Sequence, residues 1–286
     1  MPGTLFIVAT PIGNLEDLTF RALRTLREVH VVAAEDTRRT GNLLAHYKIQ
    51  KPLVSLHEHN ERQEAPKLVQ RLAGGEDIAL VSDAGTPGIS DPGQHLVSLA
   101  REAGMRIVPI PGASAVTAAL SVSGLSGTRF LFLGFPPSSG KDRDEWVAAL
   151  GDEPGIAVFF ESPHRIRRTL GEVKPLLGNR PIIVNREITK QFEELVITPS
   201  GADDSWVAPE LGEFVVIVGP RLEPDAATID GPLASLMLGR ITDSCEISED
   251  DGLRAVAAIL SAPLPKVRKA IKKARIQKKR DADAGS

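Results

Sequence analysis

The stretch Val81-Ser-Asp-Ala-Gly-Thr-Pro-Gly-Ile-Ser-Asp-Pro-Gly93 (VSDAGTPGISDPG) follows the apolar run Ile78–Val81 and precedes a helix-like pattern that begins near Gln94. Glycine lacks a Cβ and proline fixes φ, so such a segment lets backbone N–H and C=O groups approach a ligand closely. Most Gly- and Pro-rich connections are plain turns. In open parallel sheets, however, ligands bind beyond the carboxyl ends of strands. The stretch is therefore a candidate ligand loop.

Strand-like runs alternate with helical patterns on both sides of this loop. Such alternation favours a parallel sheet with helices on both faces. The predicted strands are Leu5–Ala9, Val29–Ala34, Leu53–Ser55, Ile78–Ser82 and Arg106–Pro109, and the predicted helices are Leu18–Glu28, Thr40–His46, Glu61–Ala73 and Gln94–Ala103.

A second series of strands begins after a small-residue helix predicted at Ala113–Val122. Its first two strands are joined by a helix and its last ones by Pro-, Gly- and Asp-rich loops, which favours a mixed sheet. The sequence thus predicts two α/β domains, residues 1–122 and 123–222, with a cleft between them. The predicted strands are Phe130–Gly134, Ile156–Phe160, Pro181–Asn185, Glu193–Thr198 and Glu213–Val218, with helices at Lys141–Leu150 and Arg165–Leu177.

Residues 223–286 are predicted to form a linker, to about Asp230, and a small basic helical module. Two short helices, Leu253–Leu260 and Lys266–Gln277, give a weak helix-turn-helix-like pattern. Residues 264–280 hold nine of the 34 basic residues and no acidic residue, so residues 1–263 carry 25 basic and 35 acidic residues, a formal charge of −10. A basic segment on an acidic body indicates either a polyanion contact or a solvated charged helix.

Composition and termini indicate a soluble cytoplasmic protein without a membrane span. Cys245 is the one cysteine, so the chain makes no internal disulfide, and no zinc-ligand spacing is present. The N-terminal sequence has neither a basic leader nor a long apolar segment. We expect no metal ion.

Familiar catalytic motifs are missing. No Gly-x-Gly-x-x-Gly follows the first predicted strand, and the P-loop-like segment Gly134–Lys141 has one residue too many, with Asp142 where Ser or Thr should stand. Ser162 lacks the nucleophile elbow of hydrolases. The pair His57 and His59 has no third metal ligand nearby in sequence. A reactive group carried by a cofactor fits better than a protein nucleophile or a metal ion.

Unusual residues follow nearly every predicted strand, and seven segments occur in a characteristic order. Together they closely resemble the ribosomal RNA small subunit methyltransferase I family, a branch of the tetrapyrrole methylases, over about residues 4–220. The segments are Ala9–Asp17 (ATPIGNLED), Ala34–Arg38 (AEDTR), Leu56–Asn60 (LHEHN), Val81–Pro87 (VSDAGTP), Pro111–Ala115 (PGASA), Phe160–Arg165 (FESPHR) and Arg186–Lys190 (REITK).

The resemblance implies an S-adenosylmethionine-dependent enzyme of tetrapyrrole-methylase fold, with the cofactor folded in the cleft between the two domains. It further implies a homodimer that methylates the ribose 2'-oxygen of a cytidine in 16S ribosomal RNA, within the small ribosomal subunit. By motif position, the expected cofactor-binding residues are Pro11, Asp83, Ala84, Gly85, Thr86, Ser114, Ala115 and Phe160.

For catalysis we nominate Glu187 as the proton acceptor and Lys190 as its electrostatic partner, with Asp36 and His57 in reserve. The alternative for Glu187 is an ion pair with Arg186 or Arg38 that holds the domains together. The expected RNA-binding residues are Arg38, Arg39, His59 and Arg165, together with Arg167 and Arg168.

Two other functions remain open at the level of sequence. The same fold serves methylases of tetrapyrroles and other small acceptors. The chain could also be a non-catalytic ribosome-binding factor with a vestigial cofactor cleft.

Overall fold

The computed structural model describes residues 1–199, 206–221, 229–245, 247–260 and 262–284, and it comprises two compact units, Met1–Arg221 and Leu222–Ser286. Unit 1 contains two five-stranded sheets. The first sheet is built from β1 (Thr4–Val8), β2 (Val31–Ala34), β3 (Leu53–Ser55), β4 (Ile78–Val81) and β5 (Arg106–Ile110), with α1 (Phe20–Glu28), α2 (Thr37–His46), α3 (Glu61–Ala73) and α4 (Gln94–Glu102).

The first sheet is entirely parallel, in the order β3-β2-β4-β1-β5. Its central strands β2 and β4 are buried along their whole length, which explains their continuous apolar runs. Alternate residues point to opposite faces. Leu5 and Leu80 pack under α3 and α4, whereas Val8 and Val81 pack under α1 and α2. Helix α2 begins three residues earlier than predicted, because Asp36 caps it by accepting a hydrogen bond from the Arg38 N–H at 2.8 Å.

The second sheet is mixed, as predicted, in the order β6-β7-β10-β8-β9. The pair β6 and β7 is parallel, and the remaining neighbours are antiparallel. Its elements are α5 (Ala115–Val122), β6 (Phe130–Phe132), α6 (Lys141–Asp152), β7 (Ile156–Glu161), α7 (Ile166–Leu177), β8 (Pro181–Arg186), β9 (Glu194–Pro199) and β10 (Phe214–Val218).

Helix α5 follows the last strand of the first sheet in sequence but packs on the second sheet. Val116 and Ala119 of α5 contact Val158, Val215 and Ile217, while the opposite face of that sheet is covered by α6 and α7. The chain therefore crosses between the two sheets immediately before α5.

The Val81–Gly93 loop ends at the start of α4, where one position requires glycine. Gly93 has φ +119°, and a Cβ there would lie 2.5 Å from Leu80 Cδ2, so only glycine fits. The Glu61 carboxylate of α3 accepts hydrogen bonds from the N–H groups of Gly93, His95 and Leu96 at 3.1, 2.9 and 3.1 Å. A side chain from a neighbouring helix thus satisfies the otherwise unpaired donors at the α4 N-terminus.

Unit 2 is a three-helix arrangement of α8 (Gly231–Cys245), α9 (Glu249–Ile259) and α10 (Leu264–Ala284), whose core includes Leu238, Val256 and Ile271. The sequence does not predict α8, because its Gly-Pro start and small residues conceal its buried stripe. Helix α9 begins before the predicted Leu253, with Ser248 as its cap. Most of the expected linker, residues 222–228, lies outside the described residues.

Within the described residues, no helix is both long enough and apolar enough to cross a lipid bilayer.

Candidate active site

A cavity of about 430 Å³ opens in unit 1 where the carboxyl ends of the first sheet's strands face the second sheet. This volume lies in the range of small-molecule sites. The first sheet contributes Glu35 after β2 and the start of the Val81–Gly93 loop after β4. The second sheet contributes Phe160 of β7 and Val215 of β10.

The backbone of the Asp83–Thr86 segment, called the cofactor loop below, is fixed by contacts to two other strand ends. Thr10 and Gly85 exchange backbone hydrogen bonds of 2.8 and 3.1 Å. Gly85 has φ +80°, a conformation that other L-residues rarely adopt. The Thr86 hydroxyl donates to the Ala113 carbonyl at 3.4 Å. The glycine in this motif therefore serves a positive-φ turn at the cavity wall.

Seven of the eight expected cofactor-binding residues line this cavity, and Pro11 does not. Pro11 is buried next to Ile12, which does line it. Ser114 is the N-cap residue of α5, and its side chain makes no cap hydrogen bond. The lining residues from the expected set are Asp83, Ala84, Gly85, Thr86, Ser114, Ala115 and Phe160.

Three carboxyl groups, those of Glu35, Asp83 and Asp91, line this end of the cavity, together with the Arg39 guanidinium that pairs with Asp83. Burial, with a smaller contribution from the neighbouring carboxylates of Glu35 and Asp83, raises the pKa of Asp91 to about 6, against a hydrogen bond with Ser82. Burial also raises the pKa of Glu35. Asp83 is held in place by the Asp36 N–H at 3.0 Å and by the Arg39 guanidinium at 3.2 Å. The arrangement suits a cationic ligand.

Aromatic rings cover the second-sheet side of the cavity. Phe135 and Phe160 both line it, and their ring centroids lie 5.4 Å apart. Such rings can pack against a planar base or a cation.

Glu187 and Lys190 lie beside the cavity, while Ile188 and Glu213 are the residues of this region that line it. Lys190 Nζ donates to Glu187 Oε1 at 2.9 Å and to Glu213 Oε2 at 3.0 Å. Burial by itself raises the pKa of Glu187, but hydrogen bonds from Lys190 and from the Glu213 N–H outweigh it and leave the pKa below its usual value. Glu187 is therefore a carboxylate at neutral pH, paired with Lys190.

The backbone of the Glu187–Lys190 turn is strained. Glu187 and Thr189 have φ values of +52° and +68°, and the left-handed region is especially unfavourable for a β-branched residue. Conformations of this kind persist where surrounding contacts enforce them, and they cluster at functional sites.

Gly13, in the loop after β1, lies close against this turn. A Cβ on Gly13 would lie 2.4 Å from Lys190 Cγ, 2.8 Å from Thr189 Oγ1 and 3.1 Å from the Ile188 carbonyl oxygen. Real Cβ atoms do not approach other atoms this closely, so the turn would have to move. Glycine at this position lets the two walls of the cleft meet.

Arg165, expected to bind RNA, is committed to an internal ion pair. Its guanidinium lies 2.9 Å from the carboxylate of Glu161, whose side chain is fully buried, and it also donates to the Pro136 carbonyl at 2.9 Å. The Glu161 carboxylate also accepts from the Ser162 N–H and the Thr169 hydroxyl, at 2.7 and 2.6 Å. The structure thus gives Arg165 a role in holding the cavity wall.

The other expected RNA contacts are exposed side chains, and one of them, Arg39, also lines the cavity. Arg38 and Arg39 are 89% and 69% exposed, paired with Asp36 and Asp83 respectively, and His59 is exposed after β3. Arg167 pairs with Glu210, and Arg168 with Glu172.

The reserve base candidates lie outside the cavity lining. Hydrogen bonds from Arg38 lower the pKa of Asp36 to about 2. Buried His57 Nδ1 has no hydrogen-bond partner among the described residues.

Several lining residues escaped the sequence-based selection. Asp91 lies inside the Val81–Gly93 stretch and Glu35 inside the AEDTR segment, so both lie within motifs that the sequence indicates. Glu161 stands inside the FESPHR segment, whereas Glu213 carries no local signal, because its place at the cavity depends on strands of the second sheet coming together.

The fold, the cleft and the comparisons with known proteins define the class of protein. Residues 4–202 match the sequence model described as Tetrapyrrole (Corrin/Porphyrin) Methylases. Among solved structures, uroporphyrin-III-C-methyltransferase from Thermus thermophilus superposes with a TM-score of 0.52 at 22% identity, covering 76% of this chain and 94% of that one. Diphthine synthase superposes with a TM-score of 0.59 at 15% identity, covering 76% and 90%. Both likenesses concern the fold alone, which is that of the tetrapyrrole methylases.

Relatives with higher sequence identity identify the family within the tetrapyrrole methylases. Proteins named ribosomal RNA small subunit methyltransferase I are 44% identical in Pseudomonas aeruginosa, over 93% of this chain and 94% of theirs, and 49% identical in Xylella fastidiosa, over 80% and 85%. The chain belongs to the ribosomal RNA small subunit methyltransferase I family and is a methyltransferase. The Pseudomonas match extends into unit 2, beyond the residues that carried the resemblance.

Proposed function

We propose that this protein transfers a methyl group from S-adenosylmethionine to the ribose 2'-oxygen of a cytidine in 16S ribosomal RNA. The observation that carries the proposal is the cavity between the two sheets, where the cofactor loop faces Phe160 and three carboxyl groups. The names of the relatives support the RNA substrate.

The residues of the cavity fit the chemistry of this cofactor. Its sulfonium and ammonium groups are cationic and complement Glu35, Asp83 and Asp91. Its carboxylate suits the N-terminus of α5 at Ser114 and Ala115, where unpaired N–H groups and the helix dipole favour an anion. Its adenine ring suits Phe135 and Phe160.

When bound, the cofactor supplies an electrophilic methyl group; the chain must align the ribose oxygen behind it and exclude water. Alignment of two reactants is worth on the order of 7 to 11 kcal/mol. We propose that Glu187 accepts the hydroxyl proton and that Lys190 stabilises the charge that develops on the oxygen. The ion pair between them and the strained turn that carries it support this assignment.

Glu187→Gln is expected to lower kcat by about 10²- to 10⁴-fold, the usual contribution of a positioned proton acceptor. Cofactor affinity should stay unchanged, because Glu187 lies outside the cavity lining. Single-turnover methylation of small subunits and calorimetry of cofactor binding measure the two effects. Glu210→Gln, an exposed glutamate paired with Arg167, is the control. Undiminished methylation by Glu187→Gln at saturating cofactor eliminates Glu187 as the base.

Cofactor affinity is expected to rise as pH increases through about 6. Asp91 is uncharged below that pH and a carboxylate above it, because burial raises its pKa, and a carboxylate attracts a cationic ligand. Calorimetry between pH 5 and pH 7 should show this rise for the wild type and a flatter profile for Asp91→Asn. The exposed Asp142→Asn should behave as wild type. A rise of the same size in Asp91→Asn argues against the assignment.

We also propose a cytoplasmic homodimer. Exposed apolar side chains on the two edge strands of the second sheet support association, with Phe130 and Leu131 on β6 and Leu195 and Ile197 on β9. Equilibrium sedimentation distinguishes this dimer from a monomer.

The function is tested by incubating the protein with small ribosomal subunits and cofactor labelled in the methyl group, then mapping the modified nucleotide. Label on a cytidine 2'-oxygen of 16S RNA supports the proposal. If label enters a tetrapyrrole or another small acceptor and none enters RNA, the protein is instead a methylase of small acceptors. Subunit binding without any cofactor binding identifies a non-catalytic ribosome-binding factor instead.

A further inference from the structure

A groove of about 1200 Å³ runs between α8 and α10 in unit 2. Helix α8 supplies exposed apolar side chains, with Leu233 49% and Leu236 56% exposed. Lys269 and Lys273 of α10 and Arg240 of α8 add exposed positive charge. The groove therefore combines an apolar floor with a cationic rim.

Unit 2 is nearly neutral overall, so the positive charge at the groove arises from how the charged residues are distributed within the unit. Residues 222–286 hold 11 basic and 10 acidic residues. On the side of α10 that faces α9, Arg268 pairs with Asp250 and Arg275 pairs with Glu249, both at 2.7 Å. On the side that faces α8, the one acidic residue in the described lining is Asp243.

Arg268 and Arg275 of α10 meet the carboxylates of α9, and the planar guanidinium fork suits carboxylates. Arg275 also borders the groove, with its charge paired to Glu249. Lysines line the groove, and the compact ammonium group binds phosphate as a point charge. Lys266, Lys269 and Lys273 are spaced i, i+3 and i+7, so they form one stripe with steps of roughly 4.5 to 6 Å along the helix axis.

We propose that this groove binds a strand of 16S ribosomal RNA, with its phosphates on the lysine stripe and its sugars or unstacked bases on Leu233, Leu236 and Arg240. A row of point charges complements the repeating charge of a phosphate backbone, and Arg240 offers a planar surface for a base. Such contacts position the enzyme on the subunit without reading sequence. The inference rests on the proposed RNA substrate and adds a second contact surface, apart from the cavity.

The test is the double variant Lys269→Gln/Lys273→Gln in the full-length protein. Binding to small subunits is measured by filter retention across a salt series. The loss of two phosphate contacts should reduce the slope of log K against log salt by roughly 1.5. At about 0.2 M salt, this change corresponds to about tenfold weaker binding. The control is Lys272→Gln/Arg254→Gln, which removes the same charge from exposed residues outside the groove lining and should bind as wild type.

Three outcomes overturn the proposal: unchanged affinity of the groove variant, an equal loss in the control, or a loss seen with assembled subunits but not with protein-free 16S RNA. The last result would assign the groove to a ribosomal protein. Failure of the proposed function looks different. In that case the wild type methylates no RNA, whether or not subunit binding depends on the groove.

Discussion

Replacing Arg165 with alanine is expected to lower the free energy of unfolding by about 3 kcal/mol, measured by urea denaturation. The reason is the fully buried carboxylate of Glu161, which pairs with Arg165 at 2.9 Å. Removing one partner of a buried ion pair leaves the other charge uncompensated and typically costs about 3 to 5 kcal/mol. Arg165 is 30% exposed, so water can partly replace it and the lower end of that range applies.

Arg168→Ala is the matched control, three residues further along α7. Arg168 is 56% exposed and pairs with Glu172, which keeps Arg143 as a second partner. Exposed pairs contribute about 0 to 1 kcal/mol, so this variant should remain close to wild type. If Arg165→Ala instead keeps its stability and loses affinity for small subunits, the RNA-binding role predicted from the sequence is the right one.

Gly13→Ala is expected to weaken cofactor binding and to lower the methylation rate, each by roughly three- to tenfold. The added Cβ would lie 2.4 Å from Lys190 Cγ and 3.1 Å from the backbone oxygen of Ile188. Rotation of the Lys190 side chain can relieve the first contact, whereas the second requires the Ile188 carbonyl to shift by a few tenths of an ångström. A displacement of about 1 Å at a reacting centre can cost 10²-fold in rate, so this smaller shift should cost several-fold.

The measurements are calorimetry of cofactor binding and a methylation assay on small subunits. Gly171→Ala in α7 is the control, because a Cβ there meets no other atom within 4 Å apart from the helix's own backbone and its chain neighbours. That change should stabilise the protein by roughly 0.5 to 1 kcal/mol, the usual gain of alanine over glycine within a helix. Normal cofactor affinity in Gly13→Ala would show that the contact between Gly13 and the turn does not set the geometry of the cleft.

The sequence predicted the strands and most helices of unit 1, because local patterns of apolar residues indicate which segments become buried. Continuous apolar runs such as Ile78–Val81 mark strands buried on both faces. The cofactor loop could also be identified, since its glycines and prolines are local requirements of a positive-φ turn, seen at Gly85. Helix α8 escaped because its sequence begins with Gly-Pro and its buried stripe is narrow.

The sequence predicted only part of the candidate site. Residues after the strands of a parallel sheet share one edge, which brought Asp83 and Ser114 into the prediction. The ion pair of Arg165 with Glu161 was not predicted, because an arginine beside a strand end has the same sequence appearance whether it meets an RNA phosphate or a buried carboxylate. The pKa of Asp91 near 6 depends on burial and on Glu35 and Asp83, which no sequence spacing reports.

The sequence by itself therefore determined the α/β architecture, the loop that bounds the cavity and the family. Tertiary structure alone decided that α5 packs on the second sheet, that Arg165 pairs with the buried Glu161, and that the lysines of α10 border a groove on α8. The division has a physical reason. Periodicity and turn chemistry act between residues a few positions apart, whereas ion pairs, desolvation and groove shape depend on which distant segments the fold brings within a few ångströms.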